Sequence, residues 1–145
     1  MTATTTARAF LGLSHTPLLG LASLASDIEQ PLRTAIASMT SQVRAWAPAR
    51  VVLIGPDHYN GFFNELMPSF CIGSAATSVG DYLMPSGPMN VDEKVALAMA
   101  AHMMDEGFDI AMSRRMRVDH GIVQPLDLIW GGLASPPLIP VFLNA

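Results

Sequence analysis

The run Arg50-Val51-Val52-Leu53-Ile54, closed by Gly55-Pro56, admits few structures. Four consecutive aliphatic residues rich in β-branching leave no polar side for water, so the run reads as a strand buried on both faces. Gly55-Pro56 then stops it, and Asp57-His58-Tyr59-Asn60 follow as a polar turn. Upstream, Ser26 to Trp46 reads as a helix, with Ile28, Leu32, Ile36, Met39 and Val43 at helical spacing and Ser26 or Asp27 as the cap. Before it, RAFLGLS (Arg8 to Ser14) reads as a short apolar strand ending at His15. Phe10 to Ile54 is therefore a βαβ candidate with its two strands parallel.

The rest of the chain keeps the alternation. Phe70-Cys71-Ile72 is a strand and Gly80 to Asn90 a loop. Val91 to Glu106 follows as a helix capped by Asn90. Asp109 to Met112 is a short strand, and a loop carrying Asp119-His120-Gly121 leads into a helix over Gln124 to Trp130. Leu138 to Leu143 is another buried strand. The expectation is a single α/β domain over residues 1–145, with strands and helices alternating around a mostly parallel or mixed central sheet. A central strand ending two residues before Ala145 makes that sheet incomplete at the C-terminus.

Composition narrows the function classes. Half the residues are hydrophobic and 14% are charged, too apolar a balance for a disordered chain. No uninterrupted apolar run approaches the roughly 20 residues of a membrane span. A net charge of −4 argues against nucleic acid as a partner. One cysteine, Cys71, excludes an internal disulfide and fits a cytoplasmic protein, and its strand-like setting suits a buried structural thiol. The ten methionines read as adaptable core filler. Arg8, an apolar stretch and the small residues Ala22 to Ser26 imitate a secretory signal, but His15 and Pro17 interrupt its apolar region.

Three of the four histidines share a context. His15 follows FLGLS, His58 follows VVLIGPD, and His120 lies in VDHG between a strand and a helix. Loops beyond the carboxyl ends of parallel strands converge on one crevice, where imidazoles can ligate a metal or move protons. Each alone reads more simply as an ordinary polar loop residue. Two imidazoles and a carboxylate would form the facial triad of non-haem Fe(II) oxygenases, with Asp57, Asp81 and Asp119 as carboxylates between which the pattern does not choose. His102, inside AAHMMDE, reads as a helix-surface or core residue.

LSHTPLLG, GPDHYNGFF, FCIG, VDHGIVQPL and the closing GGL…PPLIPVFLN resemble, in order and over nearly the whole chain, the class III extradiol ring-cleavage dioxygenases. The resemblance implies that His15 and His58 bind Fe(II) and that His120 is the catalytic acid/base. It implies ring opening of a 3-substituted catechol such as 2,3-dihydroxyphenylpropionate with O₂, in aromatic catabolism. Family members are about twice as long, so the resemblance is to their N-terminal half. The third metal ligand, a glutamate, and a second acid/base histidine are then expected beyond Ala145, and this chain alone is expected to bind Fe(II) weakly and turn over little. Tyr59, Asn60 and Asp119 are candidates for the substrate pocket, Asp119 either orienting His120 or serving as a plain turn residue. Phe62 and Phe63 are wall or core aromatics, and Arg114, Arg115 and Arg117 belong either to a solvated edge or to a substrate carboxylate. Self-association is expected to cover an exposed strand edge. The same histidines would also suit a metal-dependent hydrolase, and a non-catalytic remnant is the reading from another class.

Overall fold

A computed structural model describes residues 7–144 except Gly20. The Thr-rich start of the signal-like segment and Ala145 lie outside the described residues. Among the described residues, three helices and two open sheets make up an α/β fold. In chain order these are α1 (Ser26–Trp46), β1 (Val51–Pro56), β2 (Phe70–Gly73), β3 (Ala76–Ser78), a single 3₁₀ turn (Asp81–Leu83), β4 (Gly87–Pro88), α2 (Glu93–Asp105), β5 (Ala111–Ser113), β6 (Met116–Val118), α3 (His120–Trp130) and β7 (Leu138–Leu143). The larger sheet has the order β1-β7-β2-β5, with β1 parallel to β7, β7 antiparallel to β2, and β2 parallel to β5. A smaller sheet, β4-β3-β6, lies beyond it.

Alternation along β7 explains the layering. Leu138 and Phe142 face α3, where they pack with Ile122, Val123, Leu126, Val118 and Cys71. Ile139 and Val141 point the other way, onto Ala96 and Ala100 of α2 together with Ile72 and Ile110. Both faces of β7 are covered, by α3 on one side and α2 on the other, which is why its sequence is an unbroken apolar run. Cys71 is buried as expected, and burial pushes its thiol up to about 11. No helix among the described residues is long and apolar enough to cross a membrane.

Several expectations need correction. Arg8 to Ser14 forms no strand: Phe10 is 98% exposed, and the segment runs irregularly across the surface. A strand needs a neighbour for its backbone groups, and apolar composition alone cannot supply one. The parallel pairs are instead β1 with β7, β2 with β5 and β3 with β6, α2 lying between β2 and β5 in the chain. β1 is an edge strand with one face partly bare, Val52 and Ile54 being 49% and 50% exposed. Ala25, not Ser26 or Asp27, sits at the N-cap of α1 without a side-chain bond, although Leu32, Ile36, Met39 and Val43 do form its inner stripe. The second helix is capped by Asp92 rather than Asn90, because Val91 is drawn into a bridge with Leu138.

Asp92 also accepts two hydrogen bonds from Arg50. The Val95 amide, followed by Arg50, holds its carboxyl below the ordinary value of 3.8. A carboxyl depressed on folding stabilises the fold above its unfolded pKa and loses that contribution as pH falls through the folded one. Asp92→Ala is therefore expected to lower the melting temperature at pH 7, and the gap to the parent should narrow below pH 3.8. Thermal unfolding across pH 2 to 7 measures it; a gap independent of pH would refute the assignment.

Candidate metal and proton-transfer site

The polar turn after β1 brings His58 to one end of the sheet, and β6 delivers Asp119 and His120 to the same place. His120 is not a loop residue: it opens α3, and Asp119 is the N-cap, accepting the Gly121 amide at 2.9 Å. The irregular segment before α1 lays His15 against this end. The three ring centroids lie 4.5 to 5.8 Å apart, with His58 and His120 stacked. One ligand atom from each of the three can be drawn within 4.8 Å of the others. They line a cleft of about 400 Å³ with Thr16, Pro17, Asn60, Asp81 and Tyr82. A larger groove beside α1, about 690 Å³, offers no histidine, and its Arg33 and Arg44 are engaged by Glu29 and the Ile129 carbonyl.

Carboxylates behind the rings fix how each imidazole faces the cleft. Asp119 Oδ1 lies 3.1 Å from His58 Nδ1, and an ionised carboxylate can only accept, so Nδ1 carries the hydrogen and Nε2 is the atom turned to the cleft. Asp81 Oδ2 does the same for His120 at 2.6 Å, while its other oxygen accepts the His120 amide. Tyr82 packs edge-on against the His120 ring. Asp119 further accepts the His58 amide and the Asn60 side chain. Burial acts to raise its pKa, but the Asn60, His58 and Gly121 hydrogen bonds outweigh it and hold the carboxyl below the usual range. His15 is held below the usual histidine range by burial and then by its two imidazole neighbours, so its neutral form prevails at pH 7.

The geometry suits a pair of imidazole ligands. His15 Nε2 and His58 Nε2 are 3.1 Å apart. Two nitrogens each about 2.1 Å from one ion can stand no more than about 4.2 Å apart, and this pair falls inside that limit. The carboxylates around the site are already engaged by hydrogen bonds. Asp57 accepts the Gly61 and Phe62 amides, Asp119 lies behind His58, and Asp81, although it lines the cleft, has both oxygens engaged by His120. Asp81, Asp119 and His120 also approach one another, but the carboxylates there are occupied holding imidazoles.

Asn60 lines the cleft, whereas Tyr59 is 54% exposed and is not among the lining residues. Phe62 packs edge-on against Phe142, and Phe63 lies outward beneath Arg117. Arg114, Arg115 and Arg117 are exposed away from the cleft, as is His102. Reading the sequence missed Thr16, Tyr82 and Gln124, and Asp81 was one carboxylate among three. The helix-capping position of Asp119 was the available signal, since Asp before His-Gly-Ile-Val is a helix start.

Gly121 is required by closeness. A Cβ there would meet His58 Cε1 at 2.8 Å and Asp119 Oδ1 at 3.2 Å. Gly121→Ala is expected to push the His58 ring aside and weaken divalent-ion binding about tenfold or more while α3 persists. Titration with Co(II) beside far-ultraviolet circular dichroism checks this; unchanged affinity would show that the ring has room to shift.

A family described as the catalytic LigB subunit of aromatic ring-opening dioxygenase matches residues 9–145. The chain is 58% identical over 142 residues to a Comamonas testosteroni protein named 2,3-dihydroxyphenylpropionate/2,3-dihydroxicinnamic acid 1,2-dioxygenase, covering 97% of this chain and 44% of that one. A similarly named Rhodococcus globerulus protein is 47% identical over 138 residues, covering 95% and 44%. One from Pseudomonas putida is 47% identical over 132 residues, covering 91% and 42%. The chain thus spans less than half the length of these curated relatives.

Proposed function

From the premise that the chain belongs to the family of catalytic LigB subunits of aromatic ring-opening dioxygenases, we propose that it forms the histidine-bearing half of an extradiol dioxygenase site. The substrate is a 3-substituted catechol, 2,3-dihydroxyphenylpropionate being the compound in the relatives' names. The observation that carries this reading is the 3.1 Å separation of the His15 and His58 Nε2 atoms, with His120 stacked beside them. Neutral imidazoles suit Fe(II), and His15 and His58 would hold it. Bound there, Fe(II) supplies the electronic link between a catechol ring and O₂.

The chain's own residues handle orientation and protons. Asp119 holds the His58 ring by its Nδ1 hydrogen, directing Nε2 into the cleft. Asp81 holds His120 likewise, so His120 Nε2 is the atom that accepts a proton from a catechol hydroxyl or returns one to a developing oxyanion. An imidazolium formed in doing so is stabilised by the carboxylate behind it. Asn60 and Tyr82 border the space the ring would occupy. The reading carries with it a cytoplasmic setting and self-association that covers the half-exposed Val52 and Ile54.

Two experiments test it. Anaerobic Fe(II) binding by this chain should be weak, and lost in His15→Ala and His58→Ala. A chimera carrying this chain in place of the matched segment of the Comamonas testosteroni relative should open 2,3-dihydroxyphenylpropionate to a coloured product. His120→Ala in that chimera should keep the metal and lose ring opening by about 10²- to 10⁴-fold. A chain that binds no metal, in a chimera that opens no ring, would mark a non-catalytic α/β domain instead.

A further inference from the structure

His58 follows directly after β1 and His120 opens α3, whereas His15 has no regular element beside it in the chain. Among the described residues, 7–17 form no helix or strand beyond the start of a local turn, and no backbone hydrogen bond ties them to another element. Apart from the His15–His58 contact, their hydrogen bonds to distant residues are two, and both go to one side chain. The Thr16 amide donates to Gln124 Oε1 at 2.8 Å, and Gln124 Nε2 donates to the Thr16 carbonyl at 2.7 Å. Gln124 is only 2% exposed.

We propose that Gln124 is the positioning residue for His15, gripping the backbone of the next residue as a neighbouring strand would. The amide group offers one donor and one acceptor side by side, and Thr16 presents the complementary pair. Only one orientation of the amide satisfies both, so the grip fixes direction as well as distance. Gln124 lies four residues after His120 on α3, and positions i and i+4 share a helix face. One helix start thereby sets all three imidazoles: Asp119 turns His58, the helix carries His120 itself, and Gln124 holds the residue after His15. Glutamate would lose the donor and set a charge against the Thr16 carbonyl; methionine would keep the volume and lose both bonds.

The consequence for ion binding rests on the metal-site reading above, so the test has an arm independent of it. In metal-free protein, nuclear magnetic resonance should show a protected Thr16 amide and a His15–His58 ring contact. Both should disappear in Gln124→Met, with the remaining α3 amides unchanged. In the second arm, Co(II) should bind Gln124→Met about 10- to 100-fold more weakly than the parent. In a His15→Ala background the same substitution should cost nothing further, because Gln124 acts through His15. If Gln124→Met does not fold, Gln124→Glu carries the same comparisons, with a smaller loss expected. A retained ring contact, or equal losses of Co(II) affinity in both backgrounds, would overturn the proposal. A parent chain that binds no Co(II) would remove the metal reading and leave the ring contact to decide on Gln124.

Discussion

Replacing Asp119 with alanine is expected to lower the unfolding free energy by about 3 kcal/mol and to release His58 from the cleft. Four donors converge on this carboxylate: the His58 amide and Nδ1, the Asn60 side chain and the Gly121 amide. Asp119 is fully buried, so water cannot take its place without opening the start of α3. Hydrogen bonds to a charged group contribute about 1.5–3 kcal/mol each, and four on one residue are not additive, which sets the estimate nearer the value for one or two. Urea unfolding measures the loss. Asp119→Asn should retain part of the stability, because its amide oxygen can still accept, but it should turn the His58 ring by presenting a donor to Nδ1. Co(II) affinity in the asparagine variant then separates fold from site. A variant as stable as the parent would mean that the four donors find other partners.

Phe142→Ala is expected to cost about 3–5 kcal/mol, a large share of the roughly 5–15 kcal/mol that stabilises a typical domain. Phe142 is buried on the α3 side of β7, in register with Gly55 on one side and Cys71 on the other. Its ring meets Phe62 edge-on, and a Cβ on Gly61 would come within 2.8 Å of Phe142 Cε2. The Asp57–Phe63 turn that carries His58 and Asn60 therefore rests directly on this ring. Removing it leaves a cavity under the site, so Co(II) affinity should fall along with stability. Phe142→Leu, keeping most of the volume, should lose less of both. Equal stabilities for the alanine and leucine variants would show that the turn collapses into the space.

The legibility of the fold followed length and periodicity. The ends of α1 match the reading made from its apolar stripe. The six apolar residues of β7 could be placed because an unbroken run of that length has few other uses. The β4-β3-β6 sheet was invisible, since strands of two or three residues carry no period to detect. RAFLGLS and VVLIGP look alike locally, yet only the second is a strand, because β7 lies alongside it. The same limit governs the site. His15, His58 and His120 could be named from the residues and a family likeness, and Asn60 with them. Tyr59, adjacent to Asn60, is half exposed instead, on a left-handed backbone at φ 65°.

What the sequence determined by itself was chemical inventory and local preference: an acidic, apolar α/β chain, a buried thiol, two histidines at the ends of apolar runs and a third between a strand and a helix. Tertiary structure decided which groups those histidines would meet. Asp119 reaches His58 across 61 residues of chain, Asp81 reaches His120 across 39, and Gln124 reaches Thr16 across 108. Hydrogen bonds act over about 3 Å of space, whatever the separation along the chain. Nothing in the local pattern of VVLIGPDHYNGFF could therefore say which way the ring of His58 would face.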